Sequence, residues 1–168
     1  CLFAIQSSLA ILWRSWGIEP QMTMGIGAGE VAAAYCANFF KIEDAAKIIC
    51  SRSQLMAAIN SADPDVSIDN KLSRDFLKSI ITIQPMNSTI QFCSTITTTI
   101  IEGINLDAFY WLGNVQKKAE FEKALKTVLK NRYNLFIEIS QSPVLLNIIN
   151  QALSVNKING GSVGCLQQ

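Results

Sequence analysis

The chain has 168 residues, 49% of them hydrophobic and 16% charged, which describes one core-rich globular domain and excludes a disordered segment. Its net charge of +1, without a basic run, implies no nucleic-acid partner, and no apolar run reaches the ~18 residues of a membrane span. Histidine is absent, which removes histidine metal ligands, histidine bases and every Ser/His or Cys/His catalytic pair.

Leu2, Phe3, Ile5, Leu9, Leu12, Trp13 and Trp16 recur at helical spacing and predict an apolar helix over 2–16, ended by Gly17. The stretch lacks a basic n-region and is broken by Gln6, Ser7 and Ser8, so no signal peptide is expected. Opening on Cys1, the chain reads as an internal piece of something longer.

Thr23, Met24 and Ile26 then read as the end of a short buried strand. Gly25, Gly27 and Gly29 read as a tight turn, and Glu30 to Tyr35 as the first turns of a helix. Strand, glycine turn and helix make up a nucleophile elbow, in which the turn lifts one side chain above the sheet and aims backbone N–H groups at it. In the G-x-S-x-G form the middle residue is serine; here it is Gly27. A dinucleotide-binding turn fits poorly, because its third glycine would fall at Glu30 and no acidic strand end follows.

Glu43-Asp44 opens a helix through about Ile59, with Ala45, Ile48, Ile49, Leu55 and Met56 on its apolar side. Residues 60–69 are polar and turn-rich, a linker. Leu72, Phe76, Leu77 and Ile80 mark an amphipathic helix, and Thr89–Phe92 and Thr95–Ile101 two short strands. Asp107 caps a helix carrying Phe109, Tyr110 and Trp111, and Phe121, Leu125, Val128 and Leu129 line another. Leu135–Ile139 reads as a buried strand, Pro143 as a helix start before Val144–Leu153, and Ser162–Leu166 as a last strand. Strands alternating with helices argue α/β with a mostly parallel sheet. Trp13, Trp16, Phe39, Phe40, Tyr110 and Trp111 are expected in packing roles. The five cysteines read as buried free thiols of a reducing compartment, with Cys36 and Cys50 on apolar helix faces rather than as replacement nucleophiles. Lys117, Lys118, Lys123, Lys126 and Lys130 form a solvated face that could attract an acidic protein.

Leu2–Gln6, Trp13–Pro20 and the elbow with Glu30–Tyr35 resemble the acyltransferase domain of modular polyketide synthases, a relative of that of animal fatty-acid synthase. The likeness continues in Ile42–Ala46, Ser51-Arg52-Ser53, Phe92–Thr97, Leu106–Trp111 with Asn114, Phe136–Ser140 and Pro143-Val144-Leu145. It implies the large α/β subdomain of that fold, a mostly parallel sheet flanked by helices, with the small ferredoxin-like subdomain missing. Residues 1–59 would form the elbow half, 60–69 the linker replacing the small subdomain, and 70–168 the C-terminal half. Loss of that subdomain would uncover apolar surface near residues 56–72.

The resemblance also implies a reaction. A serine takes an acyl group, usually malonyl or methylmalonyl, from coenzyme A and passes it to the phosphopantetheine thiol of an acyl carrier protein, with a histidine as base and no resident cofactor or metal. Acyl-CoA, the carrier protein and neighbouring synthase domains are the implied partners, with no membrane or nucleic acid, and a cytoplasmic location follows. Laid onto this chain, the nucleophile position is Gly27, the preceding histidine is Ile26, and the histidine often found before Pro143 falls in Gln141-Ser142. Arg52 stands at the position that pairs with the extender carboxylate, and the Ala28 N–H at the oxyanion position; a solvated surface arginine is the competing reading of Arg52. Three roles are open: an inactive acyltransferase-type domain kept as scaffold or docking surface, an active one incompletely represented, and a non-catalytic acyl-CoA binder.

Overall fold

The computed structural model describes residues 2–61 and 70–166. Helix α1 (Leu2–Ser15) ends at Gly17, whose φ of +82° closes the turn that an L side chain would strain. Strand β1 (Met22–Met24) runs through the glycine turn into α2 (Gly29–Cys36), and α3 (Ile42–Ser61) follows. Of the predicted linker, Asn60 and Ser61 finish α3, and 62–69 lie outside the described residues. The chain resumes in α4 (Asn70–Ile80), β2 (Gln91–Cys93), β3 (Ile100–Ile101) and a 3₁₀ turn at Gly103–Asn105. It continues through α5 (Ala108–Gln116), α6 (Phe121–Lys130), β4 (Leu135–Glu138), α7 (Leu146–Val155) and β5 (Gly161–Gly164).

The α/β class read from the alternating periods holds, and the sheet is divided. β1 and β2 pair in parallel, Thr23 opposite Phe92, and β3 adds antiparallel to β2; β4 and β5 form a separate parallel pair, Phe136 opposite Ser162. The larger core gathers α2, α3, α4 and α5 around Val31, Ala34, Ile48, Phe76, Phe92 and Trp111. A smaller one sits under α6 and α7, built on Leu125, Leu129, Ile149 and Leu153. Small residues allow this close approach: Ala34 of α2 and Ala37 just after it have no exposed surface.

Several expectations are corrected. Thr95–Thr99 is a turn, because the Ser94 hydroxyl accepts the Ile96 and Thr97 N–H groups and Thr95 is drawn to Glu30. Side-chain bonds to local backbone outcompete a ladder there, leaving only Ile100–Ile101 as strand. β4 is not buried along its length: Leu135 is 80% exposed, whereas Glu138 is buried. Trp16 is 63% exposed, although its ring meets Trp13 edge-on, and Cys50 is exposed. The described part of the 56–72 stretch is not where apolar surface shows. Ile59 and Leu72 pack on the large core, while Leu2, Ile5, Ile11 and Leu12 of α1 are exposed.

Candidate functional site

The elbow forms as its sequence demands. A β-carbon on Gly25 would overlap the Gly29 carbonyl, so only glycine lets the strand end pass beneath the start of α2. Gly27, at the crest, has φ +55°. The turn is closed by the Gly29 N–H bonded to the Ile26 carbonyl at 2.9 Å and the Glu30 N–H to the Gly27 carbonyl at 3.2 Å. Among the described residues, no protein acceptor takes the Ala28 N–H, which leaves it available at the first turn of a helix, where donors face outward.

Arg52 comes to this crest from the third turn of α3. Its Nη2 stands 3.3 Å from the position of a β-carbon on Gly27, and its Nε donates to Asn114 Oδ1 at 2.7 Å. Burial pulls the guanidinium below its ordinary pKa, and the neighbouring Glu30 carboxylate opposes that. Arg52 is half-buried, with its Nη2 beside the elbow.

Beneath the turn lies Glu30, at the second position of α2. Glu30 is fully buried. One carboxylate oxygen accepts the Thr95 N–H at 2.6 Å and the Thr95 hydroxyl at 2.7 Å; the other accepts Asn114 Nδ2 at 2.6 Å and the Tyr110 hydroxyl at 2.9 Å. Four donors satisfy a charge that would otherwise be costly to bury. Asn114 thus joins Glu30 to Arg52, so the buried carboxylate fixes the orientation of the guanidinium at the crest. Burial, and then Glu30, push the Tyr110 hydroxyl far above its usual pKa, so it stays a donor. The signal that could have revealed this was a glutamate one residue into an otherwise apolar helix face.

Gln6 approaches from α1: its Nε2 donates to the Ile139 carbonyl at 2.9 Å and lies 3.8 Å from a β-carbon position on Gly29. Two surface depressions among the described residues, of about 280 Å³ beside Ile83 and Phe109 and about 510 Å³ beside Gln21 and Tyr133, lie away from the elbow. Among the described residues no cluster of acidic, cysteine or histidine side chains could hold a metal ion. Among them too, no helix is long and apolar enough to cross a membrane. The five lysines expected on one face are all exposed, and Lys123 pairs with Glu120.

This strand, glycine crest and helix, with an arginine beside the crest, form an elbow on an α/β domain whose fold is that of solved acyltransferase domains. Residues 1–74 match the acyl transferase domain family. Erythronolide synthase EryA2 of Saccharopolyspora erythraea is 27% identical over 217 residues, covering 90% of this chain and 6% of the relative. Mycoketide-CoA synthase of Mycobacterium tuberculosis is 24% identical over 91% of this chain and 5% of its own length. Among solved structures, the acyltransferase domain from module 8 of the salinomycin polyketide synthase superposes with a TM-score of 0.87 at 23% identity. It matches 99% of this chain, which spans 55% of that one. The acyltransferase domain of phenolphthiocerol/phthiocerol synthase A from Mycobacterium bovis gives 0.80 at 21% identity, over 99% of this chain and 89% of that one. The chain is similar to the acyltransferase domains of modular polyketide synthases and spans a small fraction of the curated synthases it matches. The 217-residue alignment runs well beyond what the chain supplies, so the relative carries residues within the matched span that this chain lacks.

Proposed function

We propose that this chain is a polyketide-synthase acyltransferase-type domain that does not transfer acyl groups and acts as a non-catalytic domain beside the carrier protein and its neighbours. The observation that carries the reading is Gly27 at the crest of the elbow in a chain without histidine. Acyl transfer through a covalent intermediate needs a nucleophile and a base within hydrogen-bond reach of it. A glycine offers no oxygen or sulfur to acylate. The nearby thiols do not substitute: Cys36 and Cys93 are buried and held protonated, their pKa pushed up to about 11.

A second role is favoured by Arg52. Its Nη2 faces the crest and the Ala28 N–H has no protein partner among the described residues, so the carboxylate of a malonyl-type acyl-CoA would find a bidentate cation and a backbone donor without any covalent step. Acyl-CoA or an acylated carrier phosphopantetheine would then be bound and not turned over.

Intact mass after incubation with malonyl-CoA, for the chain as it stands and for Gly27→Ser, tests the reading. No adduct on the unmodified chain is expected. An adduct on Gly27→Ser alone would mean that the oxyanion donor and Arg52 remain organised and only the nucleophile is gone. A malonyl adduct on the unmodified chain would overturn the proposal.

A further inference from the structure

Charge is unevenly spread along the chain. Between residues 117 and 132 stand six cations, Lys117, Lys118, Lys123, Lys126, Lys130 and Arg132, against two carboxylates, Glu120 and Glu122. That segment is net +4 in a chain of net +1, so everything outside it is net −3. All six cations are exposed. Among the described residues only Lys123 of the six has an ion-pair partner, Glu120.

The stability of α6 does not ask for this arrangement. Lys123, Lys126 and Lys130 follow at three- and four-residue spacing, which makes like charges neighbours on one helix face and weakens the helix. Lys130 in the last turn is favoured by the helix dipole, but Lys123 lies in the first turn, where the dipole opposes it. The other face is committed, with Ala124, Leu125, Val128 and Leu129 buried beneath it. An apolar face already inside the core cannot enter lipid. The exposed residues of α6 are Glu122 and the three lysines, with no aromatic to stack on a base and no arginine to fork onto a phosphate. Ammonium groups in a row, without those additions, match the carboxylates of a protein.

We propose that the exposed face of α6 docks an acidic helix of another protein, one that carries carboxylates at i, i+3 and i+7 opposite Lys123, Lys126 and Lys130. Seven residues of helix rise about 10 Å on either partner, so the three pairs form together. A second copy of this chain does not supply such a helix: no helix among the described residues carries more than two acidic residues. The face also leads to the elbow. The N–H of Glu120, the N-cap of α6, bonds the Thr95 carbonyl at 2.8 Å, and Thr95 is held by Glu30 beneath the crest. Lys117 follows directly on α5, whose Asn114 holds Arg52. A partner lying along α6 therefore has one end toward the crest, whether or not the elbow transfers acyl groups.

Fluorescence anisotropy on the 168-residue chain tests the face. The probe is the fluorescein-labelled peptide Ala-Ala-Glu-Ala-Ala-Glu-Ala-Ala-Ala-Glu-Ala-Ala-amide, whose glutamates share one helix face. Its control has the same composition with the glutamates at positions 3, 5 and 8, spread around the helix. At low salt the probe should bind one to one and the control at least tenfold more weakly, and added salt should release the probe. Lys126→Glu with Lys130→Glu should weaken probe binding tenfold or more, with a urea midpoint no lower than the parent's showing that the variant is folded. Lys41→Glu with Lys47→Glu, an equal change of charge at the start of α3, should leave binding within twofold. Equal binding of probe and control would overturn the proposal, since any polyanion would then do. So would no binding at saturating protein, or an α6 charge reversal without effect. Vesicles of phosphatidylserine that bind the parent, and not its α6 variant, more tightly than the probe does would make a lipid surface the occupant and overturn it too.

Discussion

The Arg52 guanidinium stands 3.3 Å from where a β-carbon would sit on Gly27. Anything larger than hydrogen at the crest must share space with a side chain whose Nε is already committed to Asn114. Gly27 also has φ +55°, a left-handed conformation that costs an L residue about 1–2 kcal/mol. Gly27→Ala and Gly27→Ser are therefore expected to lower unfolding free energy by about that amount, measured by urea denaturation. An unchanged or higher midpoint would show that the crest is not left-handed in solution.

Gly25 is constrained for a different reason. There the obstacle is backbone, the Gly29 carbonyl and the Glu30 N–H, which cannot swing aside as a side chain does. Gly25→Ala should cost more than Gly27→Ala, about 3 kcal/mol or above, because α2 must move off the strand. Urea midpoints of the two variants compared side by side check the order, and equal losses would contradict the close approach.

Glu30→Gln tests the network under the elbow. The glutamine amide would point a donor at groups that are themselves donors: either Thr95 N–H and hydroxyl, or Asn114 Nδ2 and the Tyr110 hydroxyl. Tyr110 lies 2.8 Å from Ser94 Oγ and can turn its proton there, so the loss concentrates on Asn114 and Thr95. A destabilisation of about 3 kcal/mol is expected, the range for breaking a buried, hydrogen-bonded charge. Arg52, freed from its Asn114 anchor, should also bind malonate more weakly in titration calorimetry. A variant as stable as the parent would mean that Glu30 is not charged and four-fold bonded.

What was legible in the sequence divides by range. Capping and turn residues act locally, so Gly17, Asp107 and the elbow glycines were readable: the Asp107 carboxylate accepts the Tyr110 N–H at 2.8 Å as its position foretold. The 3.6-residue period placed α1, α3 and α6 for the same reason. What escaped depends on contacts across the chain. The threonine run from Thr95 looks like a strand until Glu30, 65 residues earlier, takes its backbone N–H. The period of Leu135–Ile139 gave a strand, but its exposure depends on which strands flank it, and sequence spacing does not report that. At the site, Arg52 and the Ala28 N–H came from resemblance to a family pattern. The Glu30–Asn114–Arg52 chain that positions the guanidinium could be seen only once α2, α3 and α5 were packed together.

The thiols give a pH dependence with a definite sign. Burial raises Cys36 to about 11, and burial with the nearby Glu30 carboxylate raises Cys93 to about 11, against 9.0 for an ordinary cysteine. Tyr110 is pushed up as well, from 10.0. In each case the folded state holds its proton more tightly than the unfolded chain does. The thiols' contribution is fully present below pH 9 and is lost as pH rises from 9 through 11, and that of Tyr110 begins to be lost only above pH 10, because in each case the unfolded chain deprotonates first. Each thiol steepens that decline by up to about 1.4 kcal/mol per pH unit. Urea midpoints from pH 7 to 11 should stay level at first and then fall, and a Cys36→Ala, Cys93→Ala variant should fall less steeply. Under native conditions at pH 8 a thiol reagent should modify exposed Cys50 while sparing Cys36 and Cys93 until urea unfolds the chain. Rapid labelling of Cys93 in the native protein would contradict its place under α6, where its thiol faces the Ala124 carbonyl at 3.6 Å.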